Sequence, residues 1–187
     1  MVSSSNGNNS HVNDKDLVEL AGYHAYKHQD IGREIYINNV IYKVKDIKYN
    51  DPTGFDVITV KNIETGEYTV VYQGTDAGKT NGIQDILTDA QMAGDITPEQ
   101  VKAARDYYDK MKVKYGDKLT SVCGNSLGGG LANVVAVEHP DVKAVTINPS
   151  ILPEGEVDRD QDYPNITNYF SKYDPLTLAE EGVRPRY

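Results

Sequence analysis

Hydrophobic and polar positions change rhythm about a third of the way along the chain. After a polar start (MVSSSNGNNSHVND), LVELAGYHAYK places Leu17, Leu20, Ala21 and His24 on one face of a helix over 17–27, with Asp14 or Asp16 as its cap. A polar segment follows. VIYKVKDIKY (40–49) then alternates apolar residues with lysines, as in a strand with one wet face, and Asn50-Asp51-Pro52-Thr53-Gly54 is a turn. FDVITVKN (55–62) and YTVVY (68–72) flank Glu64-Thr65-Gly66-Glu67 and predict an antiparallel hairpin. From there helices and short apolar runs alternate. IQDILTDAQMA (83–93) has helical spacing, and Thr97-Pro98-Glu99-Gln100 reads as a cap with proline at the first helical position, opening a helix to about Tyr115. LTSVC (119–123), VKAVTIN (142–148) and a last strand over 166–171 are separated by an apolar helix, LANVVAV (131–137), and a polar excursion over 153–164. Strands alternating with helices imply parallel pairing, so the predicted fold is α/β: a mostly parallel central sheet, flanking helices and an N-terminal antiparallel hairpin.

Between the strand ending at Cys123 and the helix beginning near Leu131 lies Gly124-Asn125-Ser126-Leu127-Gly128-Gly129-Gly130. G-x-S-x-G at a strand-to-helix turn holds serine in strained backbone geometry with its hydroxyl above the sheet, and the helix N-terminus offers N–H groups where charge would develop on an attacked carbonyl. Gly124 and Gly128 let the two backbones pass closely. The competing reading is a glycine-rich turn whose serine only caps the helix. Gly74-Thr75 ends an earlier predicted strand at the edge where reactive loops of open α/β sheets gather. The Thr75 N–H could face that of Leu127 across an oxyanion hole, or the segment could be a plain turn. Asp174 follows the last strand in the order nucleophile, acid, base, although Asp-Pro is also a common turn signal.

A serine needs a base, and the four histidines are His11, His24, His28 and His139; none follows Asp174. His139 ends the helix that starts at the serine and is expected on the far side of the sheet. His24 and His28, one turn apart, could share a helix face as a metal pair, though packed or solvated histidines are commoner. The acidic run EVDRDQD, with Asp158, Asp160 and Asp162, lacks the glycine and closing glutamate of a calcium loop.

Composition narrows the partners. The 187 residues suit a single domain over 14–187 behind a disordered tail over 1–13. With 19 basic and 28 acidic residues the net charge is −9, which argues against nucleic acid and against electrostatic attraction to anionic lipid. The single cysteine, Cys123, excludes an internal disulfide and fits a packed small hydrophobe. The start lacks a basic-then-apolar signal, consistent with the cytoplasm or with secretion without a cleaved signal peptide.

Tyr72-Gln73-Gly74-Thr75-Asp76, Asp85-Ile86-Leu87-Thr88-Asp89, Gly124-Asn125-Ser126-Leu127-Gly128-Gly129 and Asp174-Pro175-Leu176 together resemble the class 3 lipases of the α/β-hydrolase superfamily. They also resemble the lipase domains of bacterial type VII-secreted toxins. The resemblance runs from about Val70 to Leu176. It implies Ser126 as nucleophile, Asp174 as acid, Thr75 and Leu127 as oxyanion donors, a lipid or other acyl-ester substrate, and no cofactor. Gln73 stands where the family usually has arginine, Asn125 where it has histidine and Ile86 where tryptophan is common. The family's histidine follows the aspartate by some tens of positions. It is therefore expected in a downstream segment or a partner chain, the domain being truncated at its C-terminus; the alternative is a non-catalytic binding module of the same fold.

Overall fold

The computed structural model describes residues 10–74 and 95–170. Among them one seven-stranded sheet runs in sequence order: β1 (Glu34–Ile37), β2 (Val40–Lys48), β3 (Phe55–Asn62), β4 (Tyr68–Gly74), β5 (Leu119–Asn125), β6 (Lys143–Ile147) and β7 (Ile166–Tyr169). The pairs β1–β2, β2–β3 and β3–β4 are antiparallel, whereas β4–β5, β5–β6 and β6–β7 are parallel. The antiparallel part is thus larger than the one hairpin expected, and it is continuous with the parallel part through β4. The polar segment before β2 supplies the extra strand. Glu34–Ile37 buries only Ile35 and Ile37, a signal too short for periodicity to find.

Among the described residues three α-helices cover the sheet: α1 (Asp14–Gly22), α2 (Pro98–Tyr115) and α3 (Leu127–Ala136). Alternate residues of each parallel strand face opposite layers. Val70, Tyr72, Val122 and Ala144 pack with α2 and α3, while Val71, Cys123, Val145 and Ile147 pack with α1. The N-terminus of α2 is written in its sequence. The Thr97 hydroxyl accepts from the Gln100 N–H, the Gln100 side chain accepts from the Thr97 N–H, and Pro98 fills the first turn. Val101, Ala104, Tyr108 and Met111 then form its buried face. Every residue of α3 is buried, as its unbroken apolar run requires.

α1 is shorter than its periodicity suggests. Asn13, not Asp14 or Asp16, caps it through the Lys15 N–H, and it stops at Gly22, where the Tyr23 N–H closes on Glu19. A separate 3₁₀ turn, His24–Tyr26, follows. His24 and His28 therefore do not share a helix face. Within residues 10–13, assigned to the tail from composition, Val12 is buried, and the His11 N–H donates to the Glu67 carboxylate at 3.0 Å. The helix expected over 83–93 lies outside the described residues.

Candidate active site

β4, β5, β6 and β7 end together at one edge of the sheet, with Tyr72 paired to Gly124, Asn125 to Ile147, and Ile147 to Tyr169. Ser126 is the single residue between β5 and α3. Its backbone has φ 56° and ψ −116°, a region that disfavours any residue carrying a Cβ. Backbone hydrogen bonds hold it there. The Ser126 N–H donates to the Ile147 carbonyl at 2.9 Å, and its carbonyl accepts from the Gly130 N–H at 3.0 Å and the Ser150 N–H at 2.9 Å. The hydroxyl makes no cap bond to α3, and the dihedrals are not the extended ones of a capping serine. Both facts oppose the cap reading of the motif.

The glycines are demanded by backbone proximity. A Cβ on Gly124 would lie 2.6 Å from the Gly129 nitrogen and nearer still to the Gly128 carbonyl. One on Gly128 would lie 2.6 Å from the carbonyl carbon of Tyr72. At Gly130 the space is taken by the side chain of Ile96, with the Ser150 carbonyl oxygen 3.0 Å from a Cβ position. The first turn of α3 is thus wedged between β4, β5 and the loop after β6.

Leu127 opens α3, so its N–H faces out of the helix N-terminus at the sheet edge. Gly74 lies against it: a Cβ at Gly74 would be 3.5 Å from Leu127 Cδ2. The end of β4 and the start of α3 therefore meet beside Ser126. Thr75 itself and Asp174 lie outside the described residues, as does the Asp85–Asp89 motif.

The histidines divide by edge. His11 is bonded to Glu67, just before β4, and the His139 carbonyl accepts from Asn165, just before β7, so both sit at the end of the parallel strands away from Ser126. The His139 ring packs 4.5 Å from that of Tyr108. His24 and His28 lie in the segment that reaches the Ser126 edge, because Tyr26 between them accepts a hydrogen bond from Asn125. His24 packs edge-on against Tyr23 with ring centroids 4.9 Å apart, and its Nε2 is 3.9 Å from Glu19. Burial, with Lys27 and Arg33 nearby, pushes its pKa down to about 4, so it is neutral at neutral pH. His28 is exposed, stacks on Tyr49 at 5.0 Å and lies 3.4 Å from Asp30. No group of three or more His, Cys, Asp or Glu side chains among the described residues converges as a metal site would need, and Asp158, Asp160 and Asp162 are exposed.

Motif reading missed three contributors to the elbow: Tyr26, Ile96 and Ser150. Each reaches it across a long sequence separation and none belongs to a recognisable pattern. The Ser150 contact is made through a backbone N–H, which carries no sequence signal at all.

The strained serine, the glycine wedge and the strand order define an α/β-hydrolase fold with a sharp strand-to-helix turn at Ser126. Residues 18–185 match the phospholipase-like family described as the Tle-like phospholipase domain, and the chain belongs to that family. Among solved structures it is similar to a mutant form of MDLA from Penicillium cyclopium, at 13% identity and TM-score 0.46, over 72% of this chain and 58% of that one. It is also similar to the Lip2 lipase of Yarrowia lipolytica, at 12% identity and TM-score 0.39, over 69% of this chain and 57% of that one. The chain thus spans under two thirds of the length of either of these proteins. No curated protein matches it.

Proposed function

We propose that this chain carries the nucleophile half of a lipid acyl-ester hydrolase. Ser126 Oγ attacks the ester carbonyl carbon, the carbonyl π electrons move to oxygen, and the N–H groups of Leu127 and Thr75 receive the developing oxyanion. Collapse expels the alcohol, leaving an acyl-enzyme that water resolves to free acid. Asp174 orients the histidine that takes the serine proton and returns it to the leaving alcohol. That histidine is supplied by a downstream segment or a partner chain. The backbone of Ser126 is the observation that carries the reading. A serine at φ 56° and ψ −116° that does not cap its own helix is a backbone outlier, and strain of this kind clusters at functional sites.

Membership of the Tle-like phospholipase domain family supports a phospholipid substrate, and the motif resemblance to type VII-secreted toxin lipases supports membrane lipid as the target. The test is incubation with phosphatidylglycerol–phosphatidylcholine vesicles and mass spectrometry of the products. Released fatty acid and lysophospholipid, absent with Ser126→Ala, support the proposal; intact lipid from a preparation that includes the histidine-bearing segment refutes it. A second reading, a binding module that keeps the fold without the chemistry, draws support from the separate packing of His11, His24, His28 and His139 described above. It predicts vesicle binding without turnover under the same conditions.

A further inference from the structure

The residue before the serine is as deeply placed as the serine itself. Asn125 is 2% exposed and, two positions on from Cys123, faces the α1 layer, opposite α3. There its Nδ2 donates to the Tyr26 hydroxyl at 2.7 Å. We infer that Tyr26 is a positioning residue for Ser126, acting through the Asn125 carboxamide; its catalytic consequence rests on the nucleophile reading above, its structural consequence does not.

Strained dihedrals persist only when the flanking structure over-determines them. On the α3 side, the glycine wedge and the bonds from Gly130 and Ser150 hold the carbonyl half of Ser126. On the strand side, the Ser126 N–H is held by the Ile147 carbonyl, and the torsion leading into the positive φ of Ser126 belongs to Asn125. A buried carboxamide that loses its acceptor turns to find another, and at the end of β5 that turn pulls on the backbone of Asn125. The Tyr26 phenol is held neutral by burial, which raises its pKa far above neutrality, so the contact keeps its form across the working pH range. Tyr26 lies in the 3₁₀ turn directly after α1, and α1 packs on β5 and β6, so the phenol is carried on a fixed support. Asparagine in place of the family's usual histidine is then a fitted donor for this phenol.

The experiment compares Tyr26→Phe with Tyr107→Phe. The latter removes a buried hydroxyl of similar kind, which pairs with Thr59 Oγ1 at 2.7 Å in the α2 layer. Two quantities are read: hydrogen exchange of the Ser126 amide relative to that of Val134 by NMR, and the rate at which a fluorophosphonate labels Ser126. In Tyr26→Phe the relative exchange rises about tenfold and labelling slows about tenfold, the scale of one lost buried hydrogen bond. Tyr107→Phe lowers the thermal midpoint comparably and moves neither. In the double variant Tyr26→Phe/Asn125→Ala, both quantities stay at the values of Asn125→Ala alone. Unchanged Ser126 exchange in Tyr26→Phe, equal changes in both phenylalanine variants, or additive effects in the double variant would overturn the assignment. If the wild type takes no label, the exchange comparison alone decides the role of Tyr26.

Discussion

Alanine at Gly128 and at Gly129, adjacent positions in the first turn of α3, separates backbone wedging from ordinary helix packing. A Cβ at Gly128 would lie 2.6 Å from the Tyr72 carbonyl carbon and 2.9 Å from the Gln73 nitrogen, where real contacts stay beyond 3.0 Å. Opening the contact with that carbon alone moves α3 by at least about 0.4 Å, the Tyr72 carbonyl oxygen lies nearer still, and all three obstacles are β4 backbone that cannot rotate away. That motion stretches the Gly130–Ser126 and Ser150–Ser126 bonds together. Overpacking of this kind costs roughly 3 kcal/mol, the top of the usual range. Replacing glycine in a helix returns about 1 kcal/mol, leaving a net loss near 2 kcal/mol. At Gly129 the nearest atoms lie 3.0 and 3.2 Å away, so a smaller overpacking cost of about 1 kcal/mol and the propensity gain nearly cancel. For a chain of this size the expected difference in thermal midpoint is about 4–8 °C, read by calorimetry or circular dichroism. Equal midpoints for Gly128→Ala and Gly129→Ala would refute the wedge. So would a Gly128→Ala protein as stable as the wild type.

Other expectations follow from the same geometry. Ser126→Gly raises stability by about 1 kcal/mol over Ser126→Ala in urea unfolding, because the alanine keeps the Cβ that the φ of 56° disfavours; equal stabilities would deny the strain. His24 binds its proton less readily folded, at about 4, than unfolded, near 6.5. Its contribution is therefore complete above about pH 6.5 and is lost as pH falls toward 4, with a slope of at most about 1.4 kcal/mol per pH unit. His24→Gln should flatten that part of the stability–pH curve, and an unchanged curve would contradict the burial argument. Cys123 is fully buried and burial pushes its thiol pKa up, so a thiol reagent should modify the native protein only at the rate of unfolding; rapid modification would place it outside the core.

The sequence displays the elbow well because close backbone packing leaves glycine as its signature, and Gly124 and Gly128 mark the two approaches to Ser126. It displays α2 for a similar reason: Thr97, Pro98 and Gln100 encode a local cap. β1 escapes because four residues with two buried side chains hold too little pattern. α1 is overextended because the apolar spacing continues past Gly22 while the backbone does not. The link between Tyr26 and Asn125 spans 99 positions and rests on one hydrogen bond, which no local rule detects. The same holds for the backbone bond from Ser150. What reads clearly is what the chain settles within a few residues; what the sheet brings together from distant segments does not.

The central claim is that the strain at Ser126 serves a nucleophile. The most direct measurement is labelling with a fluorophosphonate, on this chain alone and with the proposed histidine-bearing segment or partner added, with Ser126→Ala as control. The account predicts a single adduct at Ser126, lost in the alanine variant and much faster with the histidine present. Labelling of this chain alone at the full rate would move the base to His24 or His28. No adduct in either form would contradict the hydrolase reading and leave the fold as a binding module.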